Sequence, residues 1–215
     1  MGAYTGVYFP FLAEAGEFAS HALDALRQPL ESGAIRIHRS GIAASFPARF
    51  QLVLATNPCP CGNYGVVGGA CVCAPNAIRR YAARLSGPLL DRMDIELALQ
   101  RVSSLTGPET SSSISTAAAR ERVLLARERT ARRLGSTSWR LNAEVAGTWL
   151  RNGPVAPDRV VRRPLDAALQ RGALTLRGYD RVLRVAWSIA DLAGDERLEL
   201  GHVGRALYLK KGITP

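Results

Sequence analysis

The only cysteines of the chain fall in one short stretch, as Cys59-Pro-Cys61 and Cys71-Val-Cys73. The loop between the pairs contains Gly62, Gly65, Gly68 and Gly69, which let the backbone turn tightly enough for four thiolates to face one point. Four sulphur ligands suit a tetrahedral metal, zinc first. A closed four-cysteine site is structural, because no position stays open for chemistry. Two disulfides or four free thiols are the alternatives. Nothing in the sequence suggests secretion, which argues against stable disulfides. Just before the loop, Phe50-Gln-Leu-Val-Leu-Ala55 reads as a short buried strand bounded by Pro47 and Pro58. It runs into Thr56-Asn57. In an open α/β sheet, a polar residue just past the carboxyl end of a strand sits where ligands bind.

A chain of 215 residues fits one large domain or two small ones, and an apolar content of 47% fits a globular protein rather than a disordered one. No apolar run approaches a membrane span, and Met1-Gly-Ala-Tyr4 lacks the basic start of a signal peptide. The expectation is a cytoplasmic protein without a membrane partner. The formal net charge is +10, nearly all of it arginine, since Lys210 and Lys211 are the only lysines. Guanidinium forks match phosphates and carboxylates. A GC-rich genome would also favour arginine over lysine, but it does not explain the net charge.

Along the chain, residues 6–14 read as a strand ending in an acidic residue, interrupted by Pro10. Phe18, Ala22, Leu23, Ala25 and Leu26 give helical spacing over 17–30. Residues 34–46 alternate around Ser40-Gly41 as a β-hairpin, with Ile35 and Ile37 on one face and Arg36 and His38 on the other, exposed one; Arg39 lies near the turn. A basic helix is expected over 77–85 and a short strand over Ile95–Leu99. A Ser/Thr-rich linker, 104–116, contains Gly107-Pro108. Beyond it the character is helical: 117–134, a start near Asn142, 164–171, 176–192 and 201–210.

The stretches Leu26-Arg-Gln-Pro-Leu-Glu-Ser-Gly33, Phe46-Pro-Ala-Arg-Phe50, Thr56-Asn-Pro-Cys-Pro-Cys-Gly62, Leu85-Ser-Gly-Pro-Leu-Leu-Asp-Arg92 and Leu176-Arg-Gly-Tyr-Asp-Arg181 occur in this order. Together they resemble the magnesium-chelatase-like AAA+ ATPases of the YifB/ComM family, over nearly the whole chain. The resemblance implies an α/β fold. Residues 1–103 would be the C-terminal part of an AAA+ core, with a β-hairpin insert and the four-cysteine loop, and 117–215 an all-α helical lid. It implies ATP and Mg²⁺ as cofactors, hexameric assembly with other AAA+ subunits (identical or mixed), and ATP-driven remodelling of DNA, as in branch migration during transformation.

By the same resemblance Glu14 is similar to the catalytic glutamate after the Walker B aspartate, and Asn57 to sensor 1. Arg92 is similar to the arginine finger that reaches a neighbour's nucleotide. Arg177 is similar to the sensor 2 arginine of the lid. The hairpin resembles the one that points into the DNA channel of related hexamers, with Arg36, His38 and Arg39 as its DNA contacts. Each residue has a plainer reading. Asn57 before Pro58 is also a turn residue. Arg92 beside Asp91 and Asp94 is also a surface ion pair. Arg177 is also an exposed helix arginine, and hairpin charges also blunt an edge strand.

The sequence departs from the family at the nucleotide. Ala13 precedes Glu14 where the family has its Mg²⁺-holding aspartate, and no G-x-x-x-x-G-K-[ST] occurs. The expectation is a chain lacking the front half of its ATPase and incompetent for hydrolysis alone. A truncated or split gene product, a fragment and a degenerate paralogue all remain open. The rival readings are a non-catalytic zinc- and nucleic-acid-binding module and, against the evidence of the cysteine loop, a magnesium chelatase motor subunit.

Overall fold

The computed structural model describes residues 9–99 and 114–211. The chain divides into two compact units, one running to Arg92 and one starting at Met93.

In the first unit, β1 (Phe11–Leu12) and β4 (Val53–Leu54) pair in parallel, Phe11 opposite Val53 and Leu12 opposite Leu54. The strands expected over 6–14 and 50–55 shrink to this short ladder, and residues 6–8 lie outside the described residues. A physical cause is visible at its end. Ala55 N–H donates to Leu12 O at 3.0 Å, but the next rung to Ala55 O is made by Ala15 N–H at 2.8 Å. A regular parallel ladder would give that rung to Glu14. One residue is therefore looped out, and Glu14 takes the left-handed conformation, φ 54 and ψ 43.

The helix expected over 17–30 is broken. A 3₁₀ turn at Ala15–Glu17 is followed by α1 (Ser20–Asp24) and α2 (Arg27–Ser32). Pro29 has no N–H to offer the carbonyl four residues back, so the first helix stops and a second begins with the proline in its first turn. Gly33, at φ 64, ends α2 and leads into the hairpin of β2 (Ala34–Arg39) and β3 (Ile42–Pro47). Ser40 and Gly41, both at positive φ, form its two-residue turn. The cysteine loop follows β4. Then come α3 (Pro75–Ala82), with proline at its first position, and α4 (Gly87–Leu90). The Ser86 hydroxyl accepts from Leu89 N–H and donates to Asp24 at 2.6 Å.

The second unit is a helical bundle of α5 (Thr116–Arg133), α6 (Gly147–Asn152), α7 (Arg159–Gln170), α8 (Leu176–Ala193) and α9 (Leu200–Lys211). Its core gathers Val182, Leu183 and Ala186 of α8 with Leu165, Val203 and Leu207. α7 begins before the expected start, leaving Pro164 inside it. Asn142 opens only a 3₁₀ turn, Asn142–Glu144. The strand expected over Ile95–Leu99 does not form. Instead Glu96 N–H donates to Leu209 O at 2.6 Å, Arg181 donates to Asp94 at 2.8 Å, and the buried Lys210 ammonium donates to Met93 O. Isolated from a sheet partner, this segment satisfies its polar groups on the bundle. Residues 104–113 of the expected linker lie outside the described residues. No helix among the described residues is long and apolar enough to cross a membrane.

Candidate functional site

The cysteine loop leaves β4 through Thr56-Asn57-Pro58. Gly62, at φ 75, turns the chain, with its N–H on Cys59 O at 3.0 Å. Gly65 and Gly68 are also at positive φ, near 74°, a conformation that strains other residues. The sulphurs converge: Cys59 lies 3.4 Å from Cys61 and 3.8 Å from Cys71, Cys61 and Cys71 are 3.7 Å apart, and all four fall within 4.8 Å of one another. Zinc–sulphur bonds of about 2.3 Å in a tetrahedron separate the sulphurs by about 3.8 Å, so the spacing fits the ion. No disulfide joins them.

The thiols divide electrostatically. Backbone N–H groups of Asn63 and Val72, with the Cys59 thiol, favour the Cys61 thiolate and lower it to about 6. Burial opposes ionisation of Cys59. The N–H of Tyr64 (3.4 Å from its sulphur), that of Asn63 and the Cys71 thiol outweigh burial and lower it. The Cys73 N–H favours the Cys71 thiolate, but burial and the Cys61 and Cys59 sulphurs push that group up. Cys73 is pushed up to about 11: the Cys61 N–H favours its thiolate, yet the Cys61 thiol, burial and Cys59 prevail. Two sulphurs thus favour the charged form and two resist it. Four thiolates in one place need a cation.

The structure brings Glu14 and Asn57 to the same end of the β1–β4 ladder, each just past a strand's carboxyl end. Both are exposed. A Cβ added to Gly62 would lie 3.8 Å from Asn57 Cγ, so the cysteine turn lies against the Asn57 side chain.

Arg92 follows α4 in the same unit and is not a loose surface arginine. Its side chain is only 10% exposed, one nitrogen donates to Pro88 O at 2.7 Å, and another pairs with Glu31 of α2. Its Nε is buried without a hydrogen-bond partner. Its pairing with Glu31 joins residues 61 positions apart, which no local pattern announces. Arg177 is exposed in the first turn of α8, in the second unit.

The hairpin carries Arg36, His38 and Arg39 exposed, as expected. Its other face was expected to be covered and is not: Ile35 is 41% and Ile37 49% exposed, and Phe46 on β3 is 53% exposed. The alternation identifies a hairpin but says nothing of whether a core lies beneath it.

Two family models match the chain consecutively: magnesium chelatase subunit ChlI over residues 2–106, and the ChlI C-terminal model over residues 113–210. The chain is 46% identical to an uncharacterized protein of Mycobacterium tuberculosis over 209 residues, covering 97% of this chain and 40% of that protein. It is 43% identical to the competence protein ComM of Haemophilus influenzae over 204 residues, 92% of this chain and 38% of ComM. It is 36% identical to YifB of Escherichia coli over 214 residues, 95% of this chain and 39% of YifB. The chain thus spans about 40% of the length of these relatives. With both models matched in order and nearly the whole chain aligned to these relatives, the chain belongs to the magnesium-chelatase-like family that includes ComM and YifB.

Proposed function

We propose that these residues form the sensor, finger and lid portion of an AAA+ motor that uses ATP and Mg²⁺ to remodel DNA, as part of a hexamer of identical or mixed subunits. One observation carries the reading: Glu14 and Asn57 stand together at the carboxyl end of a parallel strand pair, where α/β folds bind ligands. Glu14 would act as the base-side glutamate and Asn57 would orient the attacking water. Arg92 would supply positive charge to a neighbouring subunit's nucleotide, and Arg177 would close the lid over the subunit's own. The hairpin, exposed on both faces with Arg36, His38 and Arg39, is free to meet DNA phosphates. A zinc ion held by Cys59, Cys61, Cys71 and Cys73 would brace the turn beside Asn57 as a structural centre.

These residues contain no glycine-rich phosphate cradle with its lysine, and Ala13 offers Mg²⁺ no carboxylate. The 215-residue chain alone therefore turns over no ATP, and its arginine finger works only beside a subunit that carries a P-loop. The test mixes this chain with a P-loop-bearing relative whose own counterpart of Arg92 has been removed. Stimulated hydrolysis that disappears with Arg92→Ala, a loss of about 10³ for an arginine finger, supports the reading. Turnover by the isolated chain, or no stimulation by the wild-type chain, rejects it.

A further inference from the structure

Arg92 is held within the first unit by contacts with Pro88 and Glu31. Nine-tenths of its side chain is covered, and its guanidinium is shared between Pro88 O and the Glu31 carboxylate. The fit is incomplete, because Arg92 Nε is buried with no acceptor. A guanidinium with an orphaned donor is held less well than a fully satisfied one. The phosphate oxygens of a nucleotide offer it a better set of acceptors.

Glu31 is also mechanically placed. It is the penultimate residue of α2, which passes through Gly33, at φ 64, directly into β2 of the basic hairpin. The junction is stiff. Ser32 Oγ lies within hydrogen-bond reach of Gln28 O at 2.9 Å and Ala34 O at 2.8 Å, one of which takes its single proton, and Ala48 N–H closes the hairpin base on Gly33 O at 2.8 Å. The space at Gly33 is filled by Arg49, whose Cγ would be 3.0 Å from an added Cβ. A displacement of the hairpin base is therefore passed to Glu31 within two residues.

We infer that Glu31 is a latch on Arg92: it parks the guanidinium against its own subunit, and DNA engaging the hairpin draws Glu31 away through α2 and releases Arg92 to the neighbour's nucleotide. This rests on the proposed trans role of Arg92. Glu31 is a positioning residue and touches no substrate. A second tie to the α4 region, Ser86 to Asp24 at 2.6 Å, provides an internal control, since it fastens α1 to the start of α4 without involving Arg92.

The experiment uses the mixed assembly described above and measures ATP turnover with and without double-stranded DNA for wild type, Glu31→Gln, Ser86→Ala and Arg92→Ala. Melting temperature and assembly size are measured for each. The latch predicts that Glu31→Gln raises DNA-free turnover several-fold toward the DNA-stimulated level and flattens the response to DNA, while Ser86→Ala keeps the wild-type ratio. If Ser86→Ala flattens the response equally, the effect is loosened packing and the latch is overturned. Glu31→Gln matching wild type, or losing turnover in both conditions as Arg92→Ala does, also overturns it while leaving the trans role of Arg92 standing. An Arg92→Ala chain that still stimulates fully overturns both. Should Glu31→Gln fail to fold, Glu31→Asp, which shortens the reach and keeps the charge, must show the same rise in DNA-free turnover.

Discussion

Arg133 reaches from α5 to the carboxylate of Asp191 on α8, donating to both of its oxygens. Asp191 is 1% exposed, and it also accepts from Thr130 Oγ1 at 2.7 Å and Asn142 Nδ2 at 2.9 Å. The Arg133 guanidinium lies 3.9 Å from the Trp187 ring centre, so charge pairing and a cation–π contact share one cation. The helical bundle is thus fastened by a buried polar network across its helices, not by apolar packing alone.

Removing the Asp191 carboxylate leaves the Arg133 cation, only 10% exposed, without its counter-ion, although its Asn142 contact remains. Asp191→Ala is expected to destabilise the helical unit by about 3–5 kcal/mol, the range for breaking a buried ion pair. Urea unfolding followed through tryptophan fluorescence measures this. A change below about 1 kcal/mol, the scale of an exposed pair, would mean that the network contributes little.

The cysteine centre predicts close to one equivalent of zinc in protein purified without added metal. Cys71→Ser should lower that content, and a strong chelator should remove the ion. Binding must also depend on pH. Cys73, up at about 11, and Cys71, raised as well, hold protons at neutral pH, so loading zinc expels them. Affinity therefore falls as pH is lowered, and falls more steeply below about 6, where Cys61 also takes up a proton. Zinc affinity that does not change between pH 8 and pH 6, on the order of two units around neutrality, would contradict four-thiolate ligation.

At the hairpin, replacing Arg36 and Arg39 together with Ala should weaken DNA binding by a similar factor for unrelated sequences. Each lost phosphate contact should flatten the plot of log affinity against log salt by about 0.9. Binding measured over a salt series checks this, and an unchanged slope would place the DNA contact elsewhere.

Gly16 faces the buried Tyr81 ring, and an added Cβ would sit 2.4 Å from its Cζ. Gly16→Ala should cost about 1–3 kcal/mol, as overpacking does, and lower the melting temperature of the first unit. A neutral substitution would show that the ring shifts freely.

Much of this was legible in the sequence because the signals were local. Ser40-Gly41 announced the hairpin turn, the cysteine pairs announced their cluster, and the stripe of Val182, Leu183, Val185 and Ala186 announced α8. The failures have tertiary causes. The strand through Ala13 and Glu14 ends early because a residue is looped out against β4, and Glu96 turns to the bundle where no strand among the described residues pairs with it. Glu31 with Arg92, and Arg133 with Asp191, lie too far apart in sequence for any periodicity to join them.

The fastening of Met93 by Lys210 also has a kinetic consequence. The two residues are 117 positions apart, so this contact closes one of the longest loops in the chain. Loop closure grows costlier with length, though slowly, and distant contacts slow folding. The helices can pair locally first, through α8 and its neighbours. Arg181 of α8 holds Asp94, but the segment from Met93 to Glu96 gains its other two anchors, Leu209 and Lys210, only after α9 has docked, since both belong to that helix. Its amides should be among the last in the bundle to gain protection from hydrogen exchange during refolding, and the first to lose it when α9 is loosened.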